Sequence, residues 1–437
     1  MEFLYIPKKK KGRESLQLST RKTITLTTVL FVAFIDYLGI GLVYPLFASL
    51  LFDHEVQILN PETSDAVRGL LLGILIALVP LVQFFSAPIL GALSDIKGRK
   101  KILTISLLLA ILGYCIAFLG IIYSSLLALF LYRTIIGVSA GSAAVVQAIL
   151  ADTSIKSEKT KNFGLYNMAL GAGFTIGPFI GGKLTDPNFI KGAGFNFPFG
   201  FALLLTAANL VFVLLFFKET NYINDNVKVT LTTGLKNLKK ALYMKKVRVI
   251  ILCAFILYFG WSFFYEFVPV FLIGQYSFKS HQIGNFYAYS GFIYALCSGW
   301  LIRPIIQRFS SYRIFLGSLF GAGLTMLLFS LVKGSTLLFF YAPFLLYFIA
   351  LIFPTIMTLV SNFAPKKAQG ETLGVLQSVQ ASAFALSPLF SGSLIGFYRV
   401  MPVIIGGISM LLSATIFSIF MYRNYMEEKQ QDDNLLW

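Results

Sequence analysis

Apolar runs of twenty residues and more recur from one end of this chain to the other, and nothing else in it restricts the fold as much. A helix rising ~1.5 Å per residue needs roughly 20 apolar residues to cross a ~30 Å hydrocarbon core. Inside that core every backbone N–H and C=O must find its partner within the protein, and runs of this length do so as helices rather than as a barrel. The composition agrees: 57% of the 437 residues are hydrophobic and 13% charged, where a soluble domain carries roughly 25% charge. The pattern predicts twelve spans, at roughly 23–52, 67–93, 101–122, 124–151, 162–184, 199–217, 247–273, 283–305, 311–332, 336–360, 371–397 and 400–421. The fold class expected is all-α integral membrane, with twelve transmembrane helices.

The net charge of +17 invites a nucleic-acid reading, which the placement of the charges excludes. Of the 36 Lys and Arg residues, 29 fall in the two chain ends and the alternate connections on their side. The other side holds Arg68, Lys183, Lys191, Lys279, Lys333 and Arg399, and Arg133 lies inside a span. Positive charge is retained on the cytoplasmic side. The chain is therefore expected in the cell (inner) membrane, multi-pass, with both termini cytoplasmic and lipid rather than nucleic acid around it. The run Lys8-Lys9-Lys10-Lys11-Gly12-Arg13 precedes an apolar segment, as in a signal peptide. That segment is too long for such a leader and contains Asp36, so it reads as a retained helix. Cys115, Cys253 and Cys297 all fall in spans, and His54 and His281 in outer connections, so neither a disulfide framework nor metal spacing is present. No metal and no cofactor is expected.

Asp36 stands in the middle of the first span, within F-V-A-F-I-D-Y-L-G-I-G-L-V-Y-P. An ionisable group there costs at least ~2.5–3.5 kcal/mol on insertion scales and is seldom present without a partner or a watery cavity. It is either a proton carrier facing a cavity or a structural carboxylate held permanently. Counted along the helices, Asp36 lies ~20 Å from the inner end of its span and Arg133 ~14 Å from the outer end of the fourth. In a ~30 Å core these depths nearly coincide, so a pair is possible. Arg133 is then either the proton site's counter-ion or a structural partner.

The connection Gly91-Ala92-Leu93-Ser94-Asp95-Ile96-Lys97-Gly98-Arg99-Lys100-Lys101-Ile102-Leu103 is a short basic turn in which two glycines permit a sharp reversal. Asp95 and Arg99 are four apart, close enough to pair or to cap a helix end. As a pattern it resembles the G-x-L-x-D-R-x-G-R-K-x-x-L loop of the major facilitator superfamily, with Ile96 where that family usually has Arg. Asp36-Tyr37-Leu38-Gly39-Ile40-Gly41-Leu42-Val43-Tyr44-Pro45 is similar to the first-helix motif of its drug:proton antiporters, the tetracycline-efflux group especially. Arg133-Thr134-Ile135-Ile136-Gly137, with Gly141 and Ala151-Asp152 after it, resembles their R-x-x-x-G motif. Gly173-Phe174-Thr175-Ile176-Gly177-Pro178-Phe179-Ile180-Gly181-Gly182 resembles the G-P-x-x-G-G motif associated with antiporters. The resemblance covers the N-terminal half and implies two pseudo-symmetric six-helix bundles, proton-coupled export of a small organic compound, and a monomer.

The second half rests on repetition. Gly164, Pro178, Gly182 and Leu184 recur 210 residues later as Gly374, Pro388, Gly392 and Leu394, and Gly91 recurs as Gly299. The longest polar connection separates the halves, which divides the chain into a basic N-terminus (1–22), a bundle (23–217), a linker (218–246), a second bundle (247–421) and a C-terminus (422–437). Parallel duplication of a six-helix unit explains this arrangement.

Candidate cavity residues follow from position. Asp36, Ile40, Val43 and Phe47 share one helical face, Tyr37 adjoins it, and the same spacing also describes a packing face. Gln147, Gln377 and Gln380 either hydrogen-bond in a cavity or join helices. Glu266, near the outer end of the seventh span beside Phe263, either attracts a cation within an aromatic cage or snorkels to the interface. Gly91, Asp95, Gly98 and Arg99, and Gly177, Pro178, Gly181 and Gly182, are candidates for gating; a kink there serves as hinge, seal or packing. Two motif matches are rejected. Gly137-Val138-Ser139-Ala140-Gly141 lacks a preceding strand and a histidine in any span. Gly177 to Lys183 is followed by Leu184 where a phosphate loop needs Ser or Thr. The chain is therefore not expected to be an enzyme. A proton-coupled importer of a metabolite and a non-transporting receptor are the alternatives to an exporter.

Overall fold

The computed structural model describes residues 8–53, 58–154, 159–220, 236, 239, 248–363 and 369–435. Most of the 218–246 linker, and His54, lie outside them. The first span consists of α1 (Lys8–Val43) and α2 (Leu46–Phe52), followed by α3 (Asp65–Lys97) and α4 (Arg99–Ile122). The fourth is α5 (Leu126–Ala140) with α6 (Ser142–Thr153); α7 (Lys159–Leu184) and α8 (Asn196–Phe216) complete the first six. After α9 (Arg248–Tyr276), the eighth span is α10 (Ser280–Leu296), a π-helical turn (Cys297–Leu301) and α11 (Arg303–Arg308). The last four are α12 (Ser311–Phe329), α13 (Ser335–Phe363), α14 (Gln369–Leu394) and α15 (Met401–Leu435).

Among the described residues, ten spans are long and apolar enough to cross a membrane. The remaining two are the eighth, which the π turn interrupts, and the eleventh, whose apolar surface is diluted by Gln377, Gln380, Ser387 and Ser391. Local chemistry sets the breaks. Pro45 has no N–H to offer, so the first span parts between Val43 and Leu46. Ser64 and Ser125 cap α3 and α5 by accepting from the Val67 and Ala128 N–H groups. Gly98 turns α3 into α4 with φ at 93°, where a Cβ is disfavoured. Gly91 does not share that reversal: it lies inside α3, and a Cβ there would sit 3.6 Å from Ala144, an ordinary contact.

Helices α1–α8 pack together, α1 along α7 and α5 along α3 and α4; α9–α15 do the same, α9 along α14 and α15. Lipid is as apolar as leucine, so such helices are held by close packing rather than by escape from water. Besides a smaller contact of α2 with α9, the bundles meet at two crossings, both toward the face opposite the start of α1 (the far face). Where α3 crosses α14, a Cβ on Gly73 would collide with the Pro388 carbonyl, and one on Gly392 would lie 3.0 Å from the Gly73 Cα. Where α7 crosses α10, a Cβ on Gly284 would collide with the Pro178 carbonyl, and one on Gly182 would lie 3.0 Å from the Ser280 carbonyl oxygen. Pro178/Gly182 and Pro388/Gly392, 210 residues apart, thus hold equivalent places in the two crossings. Beyond the first, Arg399 Nη2 pairs with Asp65 Oδ2 at 2.8 Å; beyond the second, His281 Nδ1 lies 4.0 Å from Asp186 Oδ2.

This seal makes a prediction. Gly73→Leu cannot keep the α3–α14 contact, so the far face is expected to open. In a background without the three native cysteines, Ile40→Cys should then react about tenfold faster with an impermeant thiol reagent applied from the far face, the change that ~1.4 kcal/mol of lost closure corresponds to. An unchanged rate would show that the crossing is not a seal.

Candidate functional site

Asp36 projects from α1 and remains half-buried. Its Oδ1 accepts a hydrogen bond from Asn209 Nδ2 of α8 at 2.9 Å. Asn209 is 1% exposed and also approaches the Val32 carbonyl at 3.4 Å, while its own Oδ1 has no hydrogen-bond partner. An amide is both donor and acceptor. Asn209 as placed serves an ionised Asp36, and a rotated amide would accept from a protonated one. The Tyr114 hydroxyl abuts Gly39, where a Cβ would lie 3.0 Å from it. Tyr37 and the buried Tyr166 lie within electrostatic reach of Asp36, and Gln147 lies beside Tyr166.

Arg133 does not pair with Asp36. It is 2% exposed, and its guanidinium sits 5.0 Å from the centroid of the Phe47 ring. Phe47 is eleven residues beyond Asp36, about 16 Å along a helix. The depth comparison failed because the first helix continues far past residue 23, so the ends of the two spans share no common zero. Arg133 instead donates from Nε to the Leu75 carbonyl at 2.7 Å and from Nη2 to the Ile76 carbonyl at 3.1 Å. The reason lies four residues on: Pro80 has no N–H to return to Ile76, and a buried carbonyl left alone is costly.

The carboxylate that shares Arg133's surroundings is Glu266. It does not snorkel. It is 5% exposed and ten residues short of the end of α9. The Ser262 and Tyr44 hydroxyls are near it, yet Glu266 Oε2 and Ser262 Oγ have no hydrogen-bond partner. Beside Glu266, three rings from the two bundles meet. Tyr44 and Phe174 have centroids 5.8 Å apart, Phe174 and Tyr265 5.9 Å, and Tyr44 and Tyr265 6.4 Å.

The expected cavity face of α1 is only half realised. Ile40 is half-buried, and half-buried Tyr37 lies 6.4 Å from Phe174. Val43 and Phe47 are instead buried in the core of the first bundle, Phe47 against Tyr132 and Phe199. The break at Pro45 ends the regular spacing that put Phe47 on that face, whereas Val43 lies before it in α1. Phe263 is likewise 1% exposed and packs on Phe259 at 4.9 Å. Gln377 is exposed and Gln380 half-buried. Asn209 was missed, although a single amide inside an otherwise apolar span is a readable signal.

Of the gating candidates, Gly177 and Gly181 bring α7 against the α1 backbone, with a Cβ on Gly177 only 2.7 Å from the Leu38 carbonyl oxygen. Pro178 and Gly182 belong to the crossing between bundles. On the α1 side, Arg99 is 6% exposed; it meets Asp95 at 2.6 Å and Asp152 at 3.2 Å, and reaches Ser94 Oγ. Glu219 accepts from the Arg99 and Lys100 N–H groups at 2.9 and 3.0 Å, capping α4. The G-x-S-x-G run packs against α3: a Cβ on Gly137 would lie 2.7 Å from Val82, and Ser139 Oγ donates to the Ser106 carbonyl at 2.8 Å.

A family profile described as Major Facilitator Superfamily matches residues 29–388 and 250–434. The chain is 34% identical over 192 residues to the class H tetracycline resistance protein of Pasteurella multocida, and this match spans 44% of the length of each chain, under half of that relative. It is 28% identical over 380 residues to the quinolone resistance protein NorA of Staphylococcus aureus, covering 85% of this chain and 90% of that one. A solved D-xylose–proton symporter shares the fold, with a TM-score of 0.72 at 15% identity over 90% of this chain and 97% of that one.

Proposed function

The chain belongs to the Major Facilitator Superfamily, and from that premise we propose that it is a proton-coupled antiporter exporting a small amphipathic organic compound. The family is one of transporters, and a multi-pass membrane transporter rather than an enzyme is what the helices and relatives describe. The export reading is supported by relatives named for resistance to tetracycline and to quinolones.

The observation that carries the coupling is Asp36: a half-buried carboxyl in mid-span, held by the neutral amide of Asn209 rather than by a cation. Such a group can lose and regain a proton without leaving an unpaired buried partner charge behind. Its affinity for the proton changes as surroundings turn from dry to wet. With both termini cytoplasmic, the far face is external and the structure is the state closed to the outside. Rocking of the two bundles about the midplane would then expose Asp36 to each side in turn. The membrane potential adds ~2.3 kcal/mol per charge per 100 mV to the driving force. Tyr37, Ile40, Gln147 and Glu266 border the path, and Gln377 and Gln380 are candidates on the other bundle. The transporter works as a monomer in the lipid bilayer, in the inner membrane of the cell.

The test is reconstitution in proteoliposomes with an imposed proton gradient. A tetracycline or a quinolone should be moved against that gradient's direction, with protons released in proportion. Inward accumulation of a metabolite along the gradient would replace export by symport. The absence of any solute flux would make the protein a receptor.

A further inference from the structure

The duplication leaves its two basic turns unequal. In the first half, carboxylates surround the turn between α3 and α4: buried Arg99 meets Asp95 and Asp152, and Glu219 caps α4. The step of 208 residues from Gly91 to Gly299 also takes Asp95 to Arg303 and Lys100 to Arg308. The step of 210 takes Asp152 to Asn362, and no acidic residue stands between Glu266 and Glu371. The second turn thus keeps its positive charge and lacks the carboxylates that answer it in the first.

Local structure turns those charges outward. A π turn at Cys297–Leu301, in which the Ile302 N–H donates to the Cys297 carbonyl at 3.1 Å, ends the eighth span, and α11 follows it. Ile302 and Ile305 hold α11 against Ile314 of α12 and against Ala350 and Leu351 of α13. Its other side is open. Trp300 is 67% exposed, and Ile306 and Phe309 are exposed too. So are Arg303 and Arg308 at the two ends of α11 and Arg313 at the start of α12. Among the described residues, none of these three guanidinium groups has an ion pair or a hydrogen bond.

An exposed tryptophan at the end of a span sits at the level of lipid headgroups. Basic groups just outside a span attract anionic lipid, and a guanidinium can hold two phosphate oxygens at once. Orientation in the membrane needs only that positive charge lie on this side. It does not ask that carboxylates be kept in one repeat and absent from the other.

We propose that the π turn, α11 and the start of α12 form a binding site for the headgroup phosphate of an anionic phospholipid. Arg303 and Arg308 are its ligands, and Trp300 lies beside the lipid. The lipid belongs to the leaflet on the side where α1 starts, the inner leaflet when both termini are cytoplasmic. The site does not depend on the export reading.

Trp300 is also the reporter. The chain has two other tryptophans, Trp261 and Trp437. Full-length protein carrying Trp261→Phe and Trp437→Phe is reconstituted in phosphatidylcholine bilayers. An equal minor share of acyl-brominated phosphatidylglycerol or acyl-brominated phosphatidylcholine is then included as quencher. Quenching of Trp300 should give phosphatidylglycerol a binding constant about tenfold or more above that of phosphatidylcholine, equivalent to ~1.4 kcal/mol or more. Added salt should reduce the preference, because the arginines are exposed. Arg303→Gln/Arg308→Gln should bring the ratio close to one. Quenching by brominated phosphatidylcholine should stay the same in that variant, which shows Trp300 still facing lipid. Lys97→Gln/Lys101→Gln removes equal charge from the first turn and should leave the ratio unchanged.

Equal quenching by the two lipids in the reporter protein would overturn the site. So would a preference that survives Arg303→Gln/Arg308→Gln, or one that the Lys97/Lys101 pair lowers as much, which would reduce it to net charge. The sequence offers one internal rival, the acidic residues Glu427, Glu428, Asp432 and Asp433 near the C-terminus. A preference that appears only when those four are changed to their amides would give the arginines to that segment instead.

Discussion

Asp36→Asn is expected to reduce drug-driven proton movement in proteoliposomes to the level of protein-free vesicles while the protein remains folded. The substitution keeps shape and removes one property. Asp36 Oδ1 accepts from Asn209 Nδ2 at 2.9 Å, and the Oδ1 of an asparagine can accept the same bond. No cation is orphaned, because the partner is a neutral amide, so the cost in stability should stay within about 1 kcal/mol, the usual worth of one hydrogen bond. What disappears is the ability to bind and release a proton. Exchange of labelled for unlabelled drug, which needs no net proton transfer, should persist. Proton movement in the variant at half the wild-type rate or more would remove Asp36 from the coupling step. Loss of exchange together with coupling would make its role structural.

The second large effect concerns Arg133 and separates it from Asp36. Arg133→Leu strands the Ile76 carbonyl, at about 1–3 kcal/mol for a buried acceptor without a donor, and takes a second, charged donor from the Leu75 carbonyl. It also removes the cation–π contact with Phe47, worth ~0.5–2 kcal/mol. A destabilisation of about 3 kcal/mol is expected, seen as early thermal unfolding in detergent. If the Ile76 carbonyl is short of a donor because of Pro80, then Pro80→Ala restores an N–H to it. In that background Arg133→Leu should cost about 1–2 kcal/mol less, a coupling that a double-mutant cycle reads directly. Strictly additive losses would mean that Arg133 does not compensate for the proline.

Much of the architecture was legible from residue order. The apolar spans, the reversal at Gly98, and the basic turn with its Asp95–Arg99 pair each depend on neighbours a few residues away, where helical spacing and backbone chemistry act; the break at Pro45 was not foreseen. The repeat was legible too: Pro178/Gly182 and Pro388/Gly392, 210 residues apart, occupy matching crossings because each places a carbonyl where the partner helix has only glycine. Gly91 was misread because a glycine in a turn motif and a glycine in the helix before it look alike in sequence.

The site was less legible, and for one physical reason. Sequence alone determined that a carboxylate, a guanidinium and a glutamate lie within membrane spans, and that each must be satisfied there. Which group satisfies which depends on helix depth and rotation, and these follow from the close backbone approach of helices far apart in the chain. Tertiary structure therefore decided that Asp36 answers to Asn209, 173 residues on, and that Arg133 answers to the carbonyls before Pro80. It also decided that Arg99 lies buried among carboxylates while Arg303 and Arg308 stay exposed, because only helix packing sets what surrounds each.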